Sequence, residues 1–209
     1  MEIGPAKNYQ YFVGSVSSRE VAVVDPAWDV PFLLAEAERL GVRITHVLVS
    51  HGHNDHINGV DAVVAATDAT VVVHEADADF FQLAWPAGNL RRSRGGETIT
   101  IGGDVEIGLL HTPGHTPGSQ CFLVRERLVT GDTLFVNGCG RCDFPGGDPV
   151  QMFDTLHRRV GSLPDETVLL PGHNYDPKPE DTLAGQRRTN RFFLARDLER
   201  FLEVRMGKK

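Results

Sequence analysis

The stretch Ser50-His51-Gly52-His53-Asn54-Asp55-His56 constrains this chain more than any other. It places three imidazoles and a carboxylate within six residues. Packing does not account for such a run, because imidazoles buried without partners cost free energy. Solvation gives them no reason to cluster. The preceding Ile44-Thr45-His46-Val47-Leu48-Val49 is apolar and rich in β-branched residues, which predicts a buried strand. Open α/β sheets place their sites at the carboxyl ends of such strands. The pattern therefore asks for a sheet whose strand ends gather around a cation.

The remaining segments supply that sheet. Tyr9 to Gly14 and Val21 to Asp25 are expected as strands joined by the polar turn Ser15 to Arg19. Asp29 is a candidate N-cap for a helix over 31–40 that Gly41 stops. A helix over 57–66 would put Val60, Val63 and Val64 on one face, and Val71–His74 reads as a short strand. Residues 75–95, with Phe80, Phe81, Leu83 and Trp85, read as an aromatic helix packed on the core or as a flap over a pocket; core packing is preferred. Glu97 to Ile107 alternates about Gly102-Gly103, the pattern of a hairpin. Strands over 120–124 and 128–130 follow, then a helix opened by Asp148-Pro149 and a strand over 168–170. The last stretch, through Phe192, Leu198, Phe201 and Leu202, is amphipathic and helical, covering its own sheet or a partner; the oligomeric state stays open. The chain reads as one α/β domain over residues 1–209, long enough for a sizeable core.

Charge and composition narrow the function. A formal charge of −7 argues against a nucleic-acid partner. No apolar run approaches the ~18 residues of a membrane span. The first residues lack the pattern of a secretory signal, so a cytoplasmic location is expected. Cys121, Cys139 and Cys142 are an odd set, which argues against a disulfide framework. Cys139-Gly140-Arg141-Cys142 is read as two reduced loop thiols rather than a redox pair.

Other strand ends repeat the chemistry of the first. His115 lies in Thr112-Pro113-Gly114-His115-Thr116-Pro117-Gly118, Asp132 follows Gly131, and His173 follows Gly172. With His51, His53, Asp55 and His56 they make five imidazoles and two carboxylates. That set exceeds one tetrahedral ion and suits two divalent ions, with Asp132 able to bridge. Imidazole and carboxylate favour zinc, with iron or manganese as alternatives, over calcium. Two such ions about 3.5–4 Å apart hold a hydroxide at neutral pH and polarise a carbonyl. A hydrolase so equipped needs no side-chain nucleophile, and Asp55 is a candidate for orienting the attacking oxygen. His46, His74, His111 and His157 lack the strand-end setting and are expected to be structural or superficial.

The H-x-H-x-D-H run at 51–56, His115 in its T-P-G-H-T-P-G loop, Gly131-Asp132 and Gly172-His173 resemble the metallo-β-lactamase superfamily in order and approximate spacing. The resemblance covers nearly the full chain. It implies a four-layer αβ/βα sandwich with metals at one edge between two sheets. It also implies one ion held by His51, His53 and His115, a second held by Asp55, His56 and His173, and Asp132 bridging. Gly131 to Val136 followed by Gly138 to Arg141 resembles glyoxalase II, the hydroxyacylglutathione hydrolases. That likeness implies a small-molecule thioester or thiol-derived substrate contacted by Arg141 and Tyr175, and a guanidinium suits a carboxylate. Gly138 to Phe144 with Gly147-Asp148, and Ser18-Arg19-Glu20, resemble instead the persulfide dioxygenases, which implies a single iron on His51, His115 and Asp132. Thr133 to Asn137 and Pro145 depart from that second pattern, so the hydrolase reading leads.

Overall fold

The computed structural model describes residues 1–207; Lys208 and Lys209, included in the expected domain, lie outside the described residues. The first sheet holds β1 (Tyr11–Gly14), β2 (Glu20–Val24), β3 (Arg43–Leu48), β4 (Thr70–His74) and β5 (Leu90–Ser93), side by side in that order. β1 runs antiparallel to β2, and β2 to β5 are parallel. The second sheet holds β6 (Thr98–Ile101), β7 (Val105–His111), β8 (Gln120–Val124), β9 (Arg127–Gly131), β10 (Val168–Pro171) and β11 (Asp181–Thr182), adjacent in sequence order. Only β9 and β10 pair in parallel there.

The apolar runs explain the layering. Successive strand residues face opposite sides, so Val71 and Val73 point one way and Val72 the other, all fully buried. Val72, with Val24 and Leu48, meets Ile101, Ile107, Leu109 and Phe122 of the second sheet, forming the core between the sheets. Val71 and Val73 meet α1 (Val30–Leu40) and α2 (Val60–Thr67) through Leu33, Ala37, Val60 and Val63. Beyond α3 (Glu75–Phe80), the helices α4 (Pro149–Asp154), α5 (Leu183–Thr189) and α6 (Leu198–Met206) cover the outer face of the second sheet. Met152, Leu183, Phe192 and Phe201 pack there on Cys121, Leu128 and Leu169. The result is the four-layer αβ/βα sandwich that the motif set implies. Among the described residues no helix is long and apolar enough to cross a membrane.

Three expectations need correction. The helix expected over 57–66 is two elements: a single turn, Asn54–Ile57, and α2 from Val60. They separate at Gly59, whose amide donates to the Pro26 carbonyl at 3.1 Å and where a Cβ would press on that same carbonyl. The C-terminal stretch is not one helix. Asn190 and Asp197 each turn their side chains onto amides ahead, Phe192 and Arg200, and so start new helices. Phe192 and Phe201, at 1 % and 0 % exposure, cover their own sheet rather than a partner. Residues 75–95 combine both readings: α3, a short turn at Ala87–Asn89 and the edge strand β5. Leu83, Trp85 and Leu90 pack on the core, whereas Phe80 and Phe81 line a cavity.

Candidate metal centre

All seven candidate ligands come together at one edge of the two sheets. β3 ends at Leu48 and delivers His51 and His53, and the Asn54–Ile57 turn carries Asp55 and His56. His115 stands in the loop between β7 and β8, Asp132 follows β9, and His173 follows β10. Nitrogen atoms of His51, His53 and His115 lie within 4.8 Å of one another. So do ligand atoms of Asp55, His56 and His173. Asp132 stands between the groups. Its Oδ2 is 3.6 Å from His115 Nε2, and its Oδ1 is 3.4 Å from His56 Nε2 and 3.3 Å from His173 Nε2.

The ring nitrogens that face away from this point are held by acceptors. His56 Nδ1 donates to Asp25 Oδ2 at 3.0 Å, His115 Nδ1 to the Arg141 carbonyl at 2.7 Å and His173 Nδ1 to the Ala6 carbonyl at 2.8 Å. Ser50 Oγ donates to Asp25 Oδ2 at 2.6 Å and is therefore left to accept from His51 Nδ1 at 3.0 Å. A carbonyl or carboxylate can only accept, so whenever the His51, His56, His115 and His173 rings are neutral these contacts leave their inward nitrogens as lone pairs. His56 Nε2 and His173 Nε2 then face each other at 3.1 Å, and His115 Nε2 faces His53 Nδ1 at 2.9 Å. His51 Nε2 and Asp132 Oδ1, both buried, have no hydrogen-bond partner. Ring nitrogens crowded on one point and orphaned buried acceptors are relieved by a shared cation. The donor set fits divalent zinc, iron or manganese.

The electrostatics of the bare side chains agree. Burial and the neighbouring His56 push His51 well below the ordinary imidazole value, and burial with His115 brings His53 to about 4. Burial opposes a charge on His56, but Asp132, Asp25 and Asp55 outweigh it and lift the ring to about 9. Asp132, despite burial, is held well below the carboxylate range by His56, His173, His51 and His115. A site that draws a proton onto one buried imidazole while keeping a buried carboxylate ionised is a site built for positive charge.

Two buried carboxylates that the sequence reading passed over hold this edge in place. Asp25 accepts the Ser50 amide at 2.7 Å as well as Ser50 Oγ and His56 Nδ1. Asp77, at 0 % exposure, accepts the amides of Gly52 at 2.8 Å and Gly118 at 2.5 Å and the Thr116 hydroxyl at 2.8 Å. It thereby ties the loop of His51 and His53 to the loop of His115. Asn8 adds a third support, donating from Nδ2 to the Asp55 carbonyl at 2.9 Å and to Asp55 Oδ2 at 3.3 Å.

The site opens into a cavity of about 760 Å³. Arg141 and Tyr175 both line it. Arg141 forks onto Asp143 at 2.9 and 2.6 Å and lies 4.2 Å from the centre of the Phe144 ring, so its guanidinium is already engaged. Tyr175 stacks on His173 with ring centres 4.7 Å apart and planes 4° from parallel. Cys139 and Cys142 are free and buried, and burial pushes both thiols up to about 12, which suits the reduced-thiol reading. Of the other histidines, His74 caps α3 by accepting the Ala76 amide and stacks on His111 with ring centres 3.9 Å apart.

A family model described as "Metallo-beta-lactamase superfamily" matches residues 3–173. The chain is 31 % identical, over 96 % of its length and 88 % of the relative's, to the "Probable polyketide biosynthesis zinc-dependent hydrolase BaeB" of Bacillus velezensis. It is 37 % identical to the hydroxyacylglutathione hydrolase of Rhodospirillum rubrum over 85 % of this chain, spanning only 66 % of that relative's length. Among solved structures, ETHE1 from Myxococcus xanthus superposes with a TM-score of 0.87 at 32 % identity, covering 97 % of this chain and 86 % of that one.

Proposed function

Because the chain belongs to the metallo-β-lactamase superfamily, we propose that it is a metal-dependent thioester hydrolase of glyoxalase II type, acting on a small-molecule substrate in the cytoplasm. One observation carries the proposal: two groups of three candidate ligands, with Asp132 between them, all turned on one point. We assign His51, His53 and His115 to one ion, Asp55, His56 and His173 to the other, and Asp132 to both. Zinc heads the candidates, in keeping with the zinc-dependent hydrolase name of the Bacillus relative. Bound divalent ions would supply a Lewis acid that polarises the thioester carbonyl and makes water acidic near neutral pH.

The chain's own groups do the rest. Asp25 and the Ala6 carbonyl hold the His56 and His173 rings at a fixed tautomer and angle. Asp55, 31 % exposed and held by Asn8, faces the cavity, and we assign it to orient the attacking oxygen. In the overall reaction water adds to the thioester carbon and the C–S bond breaks. One proton of the water leaves on the thiol, and the other is released from the acid, which departs as a carboxylate. Arg141 and Tyr175, on the cavity wall, are assigned to contact the substrate. The test is thiol release from S-lactoylglutathione and from other thioesters by protein carrying two equivalents of metal. Absence of turnover with every thioester would remove the proposal.

A second reading is kept because of the fold likeness to ETHE1 and the Gly138–Phe144 stretch: a persulfide dioxygenase with one iron on His51, His115 and Asp132. Such an enzyme consumes oxygen and forms sulfite. His53→Ala and His173→Ala would leave it active, whereas they would disable the hydrolase.

A further inference from the structure

The cavity wall beside His53 and His115 is aromatic, and the fold makes it so at some cost. Of the large apolar side chains left exposed, Phe80, Phe144 and Tyr175 (44, 40 and 62 %) stand on this one cavity. Clustered exposed apolar groups on a concave surface mark a binding site rather than chance. Phe81 and Phe144 set their rings edge-on to His53, with centres 5.5 and 5.6 Å away, and Phe80 packs edge-on to Phe81 at 4.9 Å. The wall is fixed rather than loose. Gly52 gives Phe81 room to lie on the histidine loop, where any Cβ would overlap the ring, and Gly146, at φ +83°, does the same for Phe80. On its other side Phe144 lies under the Arg141 guanidinium.

We infer that Phe80, Phe81 and Phe144 form an acyl subsite that selects thioesters of aliphatic or aromatic acids. The inference rests on the thioesterase reading. Thiol carriers of metabolic thioesters are polar and commonly anionic, so the acyl half is the part of such a substrate that gains from an apolar wall. The cavity offers an anionic carrier little: among the described lining residues Arg141 is the one permanent cation, and Asp143 already occupies it.

The test uses metal-replete protein and thioesters of one small neutral thiol, N-acetylcysteamine, with acyl groups from acetyl to octanoyl, alongside S-lactoylglutathione. kcat/KM should rise about fourfold per methylene while chain is still being buried, mostly through KM. Phe144→Ala should cut the hexanoyl-to-acetyl ratio about tenfold. Phe81→Leu, a milder change at the tightly packed ring, should lower it less but in the same direction. A flat wild-type series, or preference for S-lactoylglutathione over hexanoyl, would overturn the subsite and leave the thioesterase standing. So would a steep series that neither variant alters. No hydrolysis of any member would overturn both.

Discussion

Asp77 offers a sharp perturbation because it touches no candidate ligand and yet joins two ligand loops. Its Oδ2 accepts from the Gly52 amide and Thr116 Oγ, and its Oδ1 from the Gly118 amide. In Asp77→Ala the two amides stay buried with no acceptor, while Thr116 Oγ keeps Ser119 Oγ at 2.7 Å as a partner. At about 1–3 kcal/mol for each orphaned amide the gross cost is about 2–6 kcal/mol. Burial already pushes the Asp77 carboxyl up, so part of that cost is returned when its charge is removed. A net loss of about 3 kcal/mol follows, which for a chain of this size is a Tm lower by about 6–12 °C. Asp77→Asn keeps the shape but sets an NH2 group against a donor on one side or the other, for about 2 kcal/mol. The loops should also hold metal 10–100-fold more weakly, as expected when a partner behind the ligands is lost. Thermal unfolding of the apo protein, together with zinc titration of the folded variant, reads both effects. A Tm within about 1 °C of wild type and unchanged metal uptake would refute the claim that Asp77 holds this edge together.

Other outcomes follow from the same contacts. Asp25→Ala removes the acceptor behind His56 and Ser50, and calorimetric titration should show one of two metal equivalents weakened by about 10–100-fold; two unchanged equivalents would contradict it. Gly140→Ala would drive a Cβ into the Asp132 carbonyl and to 3.0 Å from His115 Cβ. Urea unfolding should report a loss above about 2 kcal/mol, and a neutral result would show that the 139–141 segment moves freely. The Asp143 carboxyl, held at about 2 by its fork with Arg141, should titrate near the ordinary Asp value of about 3.9 in Arg141→Gln. Carbon-13 NMR between pH 1 and 6 reads the change, and an unmoved titration would dissolve the ion pair.

Much of the site was legible because its residues are local in kind. A ligand cluster after a β-branched run, and single His or Asp residues following strand-then-Gly turns, mark the carboxyl edge of a sheet without any knowledge of the packing. Asp25 was half-visible, since it ends β2 next to β3, but its Asp25-Pro26 context reads equally as a turn. Asp77 gave no signal at all. It sits in a short helix among alanines, and its partners Gly52, Thr116 and Gly118 are 25 to 41 residues away. Arg141, expected to meet substrate, lines the cavity while its guanidinium forks onto Asp143 two residues on, a contact that spacing alone could have suggested. The broken C-terminal helix was also readable: Asn190 and Asp197 are capping residues, and the amphipathic pattern overrode them. Phe80 and Phe81 were readable as a flap over a pocket, but Phe144 joined them only once α3 and the 142–147 loop were brought together.

The central claim is that seven side chains from four strand ends enclose two cations. A crystal of protein loaded with two equivalents of zinc, with anomalous difference maps collected on both sides of the zinc absorption edge, tests it directly. Two peaks are expected, one among His51, His53 and His115 and one among Asp55, His56 and His173, with an Asp132 oxygen on each. A single peak on His51, His115 and Asp132 with His53 and His173 turned away, or no peak within this edge of the sandwich, would contradict it.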